Sequence, residues 1–489
     1  MSERLSILRV TTCLAMMTIV LSACGKNEDA TPQPAAAEPE LAAAELLPHQ
    51  QIARDILREL VEIDTTQAGN TTIAAEAVAA RLLAEGFPQE DVMVMGPTED
   101  RGNLIVRYRG RGGDTGRKPI LLMAHIDVVA ANPEDWELDP FTMHEQDGYF
   151  IGRGTRDDKD DAAVHISNLI RMKREGFQPD RDIIVALTAD EETGDQNGIT
   201  WLLENHRDLI DVEYALNEGG DGLIRDGVHV ANQVQATEKI YLDYQLETTD
   251  PGGHSSVPRK DTAINRLADA LVRIRAHDFP VVLNEVTSLY FERSVELADE
   301  EMATAMRAIT QKPLDSSAVA YLSKIPRYNA MLRTTCVTTM VNAGHAENAL
   351  PQRAAANVNC RMLPTESASA VLETLITVIG DSRISVTEIW PEMPSPPSPL
   401  TDELLSAIEE LTEEFWPGVP VIPTMGTGAT DGLYLRNAGI PVYGVSGTFY
   451  DIAVDTRHGL NERVRIDSFF EGQEFMYRLV TRLTRADAN

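Results

Sequence analysis

The sequence has 489 residues, 43% hydrophobic and 24% charged, which excludes bulk disorder and provides material for two or more domains. Its 43 Lys and Arg against 76 Asp and Glu leave a net charge of −33, which argues against nucleic acid and suits a chain that concentrates carboxylates around cations. Four cysteines in the whole chain exclude a disulfide scaffold.

Taken in chain order, Arg4 and Arg9 precede an apolar run from Val10 to Val20 that is short of the ~20 residues a membrane-spanning helix needs. Leu21-Ser22-Ala23-Cys24 follows, so residues 1–23 are predicted to be a signal peptide with small residues before its cut. Leu-Ser-Ala-Cys resembles the bacterial lipobox, which implies that Cys24 becomes the lipidated first residue of the mature protein. The alternative is a plain cleaved signal. Gly25 in place of Asp points to an exported lipoprotein that faces the periplasm and is anchored in the outer membrane. Residues 24–46 are rich in Ala, Pro and Glu and read as a flexible tether.

Beyond the tether, Ile52–Val61 and Thr72–Leu83 have helical apolar spacing, and Leu104–Tyr108 alternates as a strand. Pro119–Ala124, Ile183–Leu187, Val212–Leu216 and Pro441–Val445 are short apolar runs, separated by helical stretches such as Ala162–Arg174 and Ile199–Glu204. This alternation predicts an α/β fold with a mostly parallel sheet flanked by helices. From about Ala236 to Trp390 the order is β-α-β-β-α-β, the ferredoxin-like pattern. Its pieces are Tyr241–Thr248, Asp261–Ile274, Thr334–Val341, Ala355–Arg361, Ser367–Ile379 and Ile384–Ile389. A largely helical insertion over 278–330 interrupts it. The predicted organisation is a catalytic domain over 47–235 and 391–489, with an inserted domain over 236–390.

The ends of the apolar runs carry the chemistry. They lead into His125-Ile126-Asp127, Asp190-Glu191-Glu192, Asn217-Glu218-Gly219-Gly220 and, after the last, His458-Gly459; Gly152 to Lys159 lies between the first two. In open α/β sheets ligands bind beyond the carboxyl ends of the strands. Two carboxylates ~4 Å apart repel by about 4 kcal/mol at an effective dielectric of 20, so Asp157, Glu191, Glu192 and Glu218 on one rim call for cations. His and carboxylate ligands without Cys suit Zn²⁺, with Co²⁺ or Mn²⁺ possible. Taken singly, a His-x-Asp is a surface pair, acids before Thr-Gly suit a helix N-terminus, and Asn-Glu-Gly-Gly is a turn. The conjunction points to a metal rim.

With these motifs on one chain, the sequence resembles the co-catalytic dizinc metallopeptidase and amidohydrolase family of bacterial glutamate carboxypeptidase, aminoacylase, carboxypeptidase S, acetylornithine deacetylase and succinyl-diaminopimelate desuccinylase. The resemblance spans about residues 50 to 480 and continues through Gly252-Gly253-His254-Ser255-Ser256, Asn348-Ala349-Leu350-Pro351, Thr430-Asp431 and His458-Gly459-Leu460-Asn461-Glu462. It implies two Zn²⁺ per subunit bridged by Asp157, with His125 and Glu218 completing one site and Glu192 and His458 the other. Asp127 would orient His125 through its second ring nitrogen. Glu191 would be the general base for a water activated by the metals. The inserted domain would be a dimerisation and lid domain, with His254 reaching the partner subunit's site to stabilise the oxyanion. Arg361 and Asn348 would hold the substrate's free carboxylate, and the Gly426–Asp431 loop with Thr430 would wall the pocket. Asp160 stands where the family usually has Gly, which puts the local turn in doubt. The insertion would enlarge the lid, as in carboxypeptidase S-like members.

The expected activity is cleavage of a peptide or N-acyl amide bond beside a free carboxylate, of the carboxypeptidase or dipeptidase type. The alternative is an aminoacylase-type N-acyl-amino-acid amidohydrolase, and the alternative from another class is a non-catalytic peptide-binding lipoprotein. The expected assembly is a homodimer that touches the membrane only through its lipid. Cys336 and Cys360 could lie opposite each other on a hairpin and export permits a bond, but two free thiols in a packed sheet are the simpler expectation.

Overall fold

Ile120–His125, six residues buried without a break, form a strand near the middle of a ten-stranded sheet. Ile183–Thr188 pairs with it on one side and Tyr214–Asn217 on the other, both parallel. Such strands read as continuous apolar runs because helices cover both faces. The computed structural model describes residues 46–111 and 117–485. The expected signal peptide, Cys24 and the tether as far as residue 45 lie outside the described residues.

The sheet runs in the order Val92–Met95, Asn103–Tyr108, Ile183–Thr188, Ile120–His125, Tyr214–Asn217, Val442–Gly444, Val228–Glu238, Gly222–Arg225 and Phe449–Asp451, with Val421–Gly426 also paired to Val228–Glu238. Its centre is parallel, as expected. Asn103–Tyr108 joins antiparallel on one side and Gly222–Arg225 pairs antiparallel with Val228–Glu238 on the other, which makes the whole sheet mixed. Helices Pro48–Val61, Lys159–Glu175, Asp402–Phe415 and Ile466–Leu483 pack on one face around Leu57, Leu122, Leu169, Leu411 and Phe475. Gly198–Asn205 and Gly432–Asn437 cover the other face around Leu121, Ile184 and Leu435. Each such side chain contributes about 1.5–3 kcal/mol when buried. Gly176, at φ 70°, ends Lys159–Glu175 in the left-handed conformation that glycine adopts without cost.

The inserted domain has a four-stranded antiparallel sheet in the order Thr335–Ala343, Arg353–Met362, Ile240–Thr249 and Ile384–Glu388. Ala263–Arg275 and Ala368–Ile379 cover one face around Leu242, Leu267, Val358 and Leu375. This is the ferredoxin-like order. Cys336 and Cys360 are direct cross-strand partners and form a disulfide, which corrects the expectation of two free thiols. Their Cα atoms are 4.0 Å apart, so the sheet register brings the sulfurs together.

Residues 285–332 form four helices, Glu285–Ser294, Glu300–Ile309, Ser316–Leu322 and Pro326–Leu332. Their core of Phe291, Met306 and Leu322 packs with Ala231, Ile422 and Met425 of the catalytic strands. The insertion expected to enlarge the lid is therefore built onto the catalytic body, because its apolar faces match the edge formed by Val228–Glu238 and Val421–Gly426. No helix among the described residues is long and apolar enough to cross a membrane.

Candidate active site

The parallel strands deliver their last residues to one rim. His125 ends Ile120–His125, Glu191 and Glu192 follow Ile183–Thr188, and Glu218 follows Tyr214–Asn217. Glycines let the chain turn there. Gly219 has φ 101°, and a Cβ on Gly220 would lie 1.9 Å from the Gly444 carbonyl oxygen. Asp157 comes from the loop before Lys159–Glu175, and its peptide bond to Asp158 is cis. His458 comes from the loop after Phe449–Asp451 and holds φ 56°. A non-glycine residue in that region is uncommon and clusters at functional sites.

The two oxygens of Asp157 face different partners. Oδ1 lies 2.9 Å from His125 Nε2, which is 4.0 Å from Glu218 Oε1. Oδ2 lies 3.2 Å from His458 Nε2, which is 2.9 Å from Glu192 Oε1. Glu191 shares the first group: one ligand atom each from His125, Glu191 and Glu218 lies within 4.8 Å of the others, as do those of His125, Asp157 and Glu192. The second nitrogen of His125, Nδ1, lies 3.0 Å from the Asp127 main-chain carbonyl and 3.6 Å from its carboxylate. That carboxylate accepts the N–H groups of Glu191 and Glu192, each at 3.0 Å. Asp127 thus fixes both glutamates as well as the imidazole.

This crowding has an electrostatic signature. Burial pushes the Glu218 carboxyl up to about 8, with the nearby Asp157 adding to the shift. Burial likewise raises Glu191 well above the usual carboxylate range, and raises Glu192. Against its own burial, Asp157 is held low by hydrogen bonds to His125 and His458. His458 rises to about 9, chiefly through its hydrogen bond to Asp157. Facing only protein cations, Glu191, Glu192 and Glu218 are all shifted upward by burial. The donor set of two imidazoles and carboxylates around one shared aspartate fits two divalent cations. His125, Asp157 and Glu218 could hold one ion, and Asp157, Glu192 and His458 the other.

Residues 121–482 match Peptidase family M20/M25/M40. The chain belongs to this family. It is 30% identical over 418 residues to N-fatty-acyl-amino acid synthase/hydrolase PM20D1 of Xenopus tropicalis, covering 84% of this chain and 81% of that one. Carboxypeptidase S of Saccharomyces cerevisiae is 27% identical over 435 residues, covering 78% of this chain and 74% of its own. In fold, the chain is similar to the M20 family metallo-carboxypeptidase Sso-CP2 from Sulfolobus solfataricus, with a TM-score of 0.65 at 17% identity over 88% of this chain and 99% of that one. This member of the family is a hydrolytic enzyme.

The remaining expected residues of this M20 chain lie outside the His–carboxylate cluster. His254 is exposed; its Nδ1 accepts the Ser256 N–H at 3.1 Å, and among the described residues no hydrogen bond or ion pair joins it to the rim. Asn348 is beside it, its main-chain carbonyl accepting the Ser255 N–H at 3.0 Å. Arg361 sits on the inserted domain's sheet, on the face away from its helices, with its guanidinium 4.6 Å from the Tyr241 ring centre. Thr430 Oγ donates to Glu238 at 3.1 Å and accepts from Asn217 at 3.2 Å, on a loop that lines a cleft beside Glu218. Asp160 is the residue expected to alter the local turn. It lies in the first turn of Lys159–Glu175, buried, with neither carboxyl oxygen hydrogen-bonded, and burial raises its carboxyl.

Two residues of this site had no role assigned from sequence. Glu462 is fully buried and accepts the N–H groups of Gly154, Arg156 and Asp157 at 3.1, 2.9 and 3.1 Å. Its other oxygen pairs with Arg153. It therefore shapes the loop that carries Asp157. Asp431 accepts from Thr188 Oγ at 2.7 Å and Asn197 Nδ2 at 2.6 Å, and burial pushes it up to about 6. Both stand inside motifs visible in the sequence, but their contacts span 243 and more than 300 positions.

Proposed function

We propose that this chain is a two-metal hydrolase that cleaves a peptide or N-acyl amide bond beside a free carboxylate. The observation that carries the reading is Asp157, whose two oxygens each meet a different His–Glu pair. Zinc is the expected metal, with Co²⁺ or Mn²⁺ able to replace it. When bound, the metals polarise the scissile carbonyl and lower the pKa of water. Glu191 takes the proton of the attacking water and passes it to the leaving nitrogen. Its burial beside Glu218 raises its proton affinity, which suits a group that must hold that proton. Asp127 keeps Glu191 and Glu192 in place through their amides. His254 completes the oxyanion site of a partner subunit, and Arg361 with Asn348 holds the free carboxylate.

Carboxypeptidase or dipeptidase activity is the first reading and N-acyl-amino-acid hydrolysis the second. The likeness to both carboxypeptidase S and an N-fatty-acyl-amino acid hydrolase favours testing them side by side. The assay is turnover of a dipeptide and N-acyl-amino-acid panel by metal-loaded protein. Cleavage that a chelator abolishes supports the reading, and no turnover of either class refutes it.

Assembly and location are part of the same proposal. A homodimer through the lid is supported by the exposed apolar residues Val337, Met340 and Val341 on an edge strand, 60, 69 and 60% exposed. Sedimentation as a monomer at micromolar concentration would remove the role of His254 in a partner's site. Export, which anchoring through Cys24 requires, is supported by the Cys336–Cys360 bond, since disulfides persist in oxidising compartments.

A further inference from the structure

The insertion reaches the cleft. A cavity of about 600 Å³ opens beside Glu218, bordered by the Gly426–Thr430 loop and by Gln233 and Gln235 of Val228–Glu238. Pro326, Arg327 and Ala330 of the last insertion helix form another part of its lining. Two guanidinium groups line this space. Arg457 is already neutralised, 3.3 Å from Asp221 and 3.0 Å from Asp455. Arg327 is exposed and has no ion pair or hydrogen bond among the described residues. In a chain with 76 acidic residues, an arginine left without an acidic partner at the cleft is available to a ligand.

Its helix is also fixed. Lys239, at the junction of the catalytic and inserted sheets, donates to the carbonyls of Ala330 at 2.8 Å and Arg333 at 2.6 Å. The Tyr328 ring packs against Phe291, with centroids 5.9 Å apart. A guanidinium on an anchored helix loses less freedom on binding than one on a free loop, and its planar fork matches a carboxylate through two hydrogen bonds. We infer that Arg327 is a substrate-recognition residue of this cleft and takes a second anionic group of the substrate, a carboxylate beyond the one beside the scissile bond. This rests on the hydrolase reading and adds a substrate class to it, amides that carry two carboxylates.

Matched dipeptides test it. The metal-loaded full chain is assayed for kcat/KM on Glu-Ala against Gln-Ala and on Ala-Glu against Ala-Gln, so the two pairs show on which side of the bond the second carboxylate lies. In the wild type one acidic member should exceed its amide by about ten- to hundredfold, the range of a charge-assisted hydrogen bond. R327A should collapse that ratio toward one, R327K should keep part of it, and R327E should invert it. Calorimetric affinities of E191Q for the same pairs should give the same ratio without turnover. An acid preference that survives R327A, or its absence in the wild type, overturns the inference and leaves the hydrolase reading standing. No turnover of any dipeptide or N-acyl amino acid overturns the hydrolase reading, and the E191Q affinities then decide Arg327 alone.

Discussion

Replacing Glu462 with Ala should loosen the loop that carries Asp157 before it disturbs the sheet. The side chain is 0% exposed and the Arg153 it pairs with is 2% exposed. Removing one partner of a buried pair costs about 3–5 kcal/mol, because the other charge is left without compensation. Three main-chain N–H groups lose their acceptor as well, each costing about 1–3 kcal/mol where water cannot replace it. A total of about 4 kcal/mol is expected for Glu462→Ala if water reaches most of those amides. Glu462→Gln keeps an oxygen for them and removes only the charge, so roughly half that loss is expected. Urea unfolding read by tryptophan fluorescence gives the first quantity, and metal bound per chain after dialysis gives the second. Alanine should lower the urea midpoint and the metal content together, with glutamine between it and the wild type. A Glu462→Ala protein with the wild-type midpoint and full metal content would refute the view that this carboxylate organises the Asp157 loop.

Other outcomes follow from the same contacts. Glu191→Gln should retain metal while kcat falls by at least about 10²-fold, the usual worth of a general base; unchanged turnover would remove Glu191 from that role. Burial lowers the Lys239 ammonium from 10.5 to about 7, so the unfolded chain binds more protons between those values and stability should rise as pH increases from about 7 to 10.5. Lys239→Met should flatten that rise in urea midpoints, and an unaltered pH profile would count against a buried neutral lysine. Cys336→Ser with Cys360→Ser should cost about 3 kcal/mol for a loop of 24 residues, and a soluble form beginning at Lys26 should show no free thiol when denatured without reductant. Palmitate label should enter the full-length protein and be lost in Cys24→Ala; label that survives would end the lipid-anchor proposal.

Residues that act through local sequence were legible in advance. Ile120–His125 and Ile183–Thr188 show as apolar runs because both faces are covered, and their C-terminal His, Asp and Glu therefore stand out. The β-α-β-β-α-β rhythm was equally visible, since each element buries one face. Val228–Glu238 was missed. Val228, Val230, Val234 and Ala236 keep a period of two that Asn232 interrupts, and the buried Gln233 and Gln235 make the other face read as solvent-facing although it borders the cleft. The insertion read as helical, yet nothing local says which body it joins; that depends on Ala231, Ile422 and Met425, which it meets only after folding. Glu462 was in view within the last motif, but its partners lie more than 300 residues upstream. The disulfide hung on register: pairing of Thr335–Ala343 with Arg353–Met362 sets Cys336 opposite Cys360, and a one-residue slip would have placed the thiols on opposite faces.

The central claim is a pair of metal ions held about Asp157. Elemental analysis of the purified soluble form beginning at Lys26, run beside hydrolysis of a dipeptide and N-acyl-amino-acid panel, measures it most directly. The expected result is about two zinc-like ions per chain, reduced in Asp157→Ala, with cleavage that a chelator stops and added metal restores. No bound metal, and no rescue by Zn²⁺, Co²⁺ or Mn²⁺, would contradict it and leave the carboxylate rim without a catalytic role.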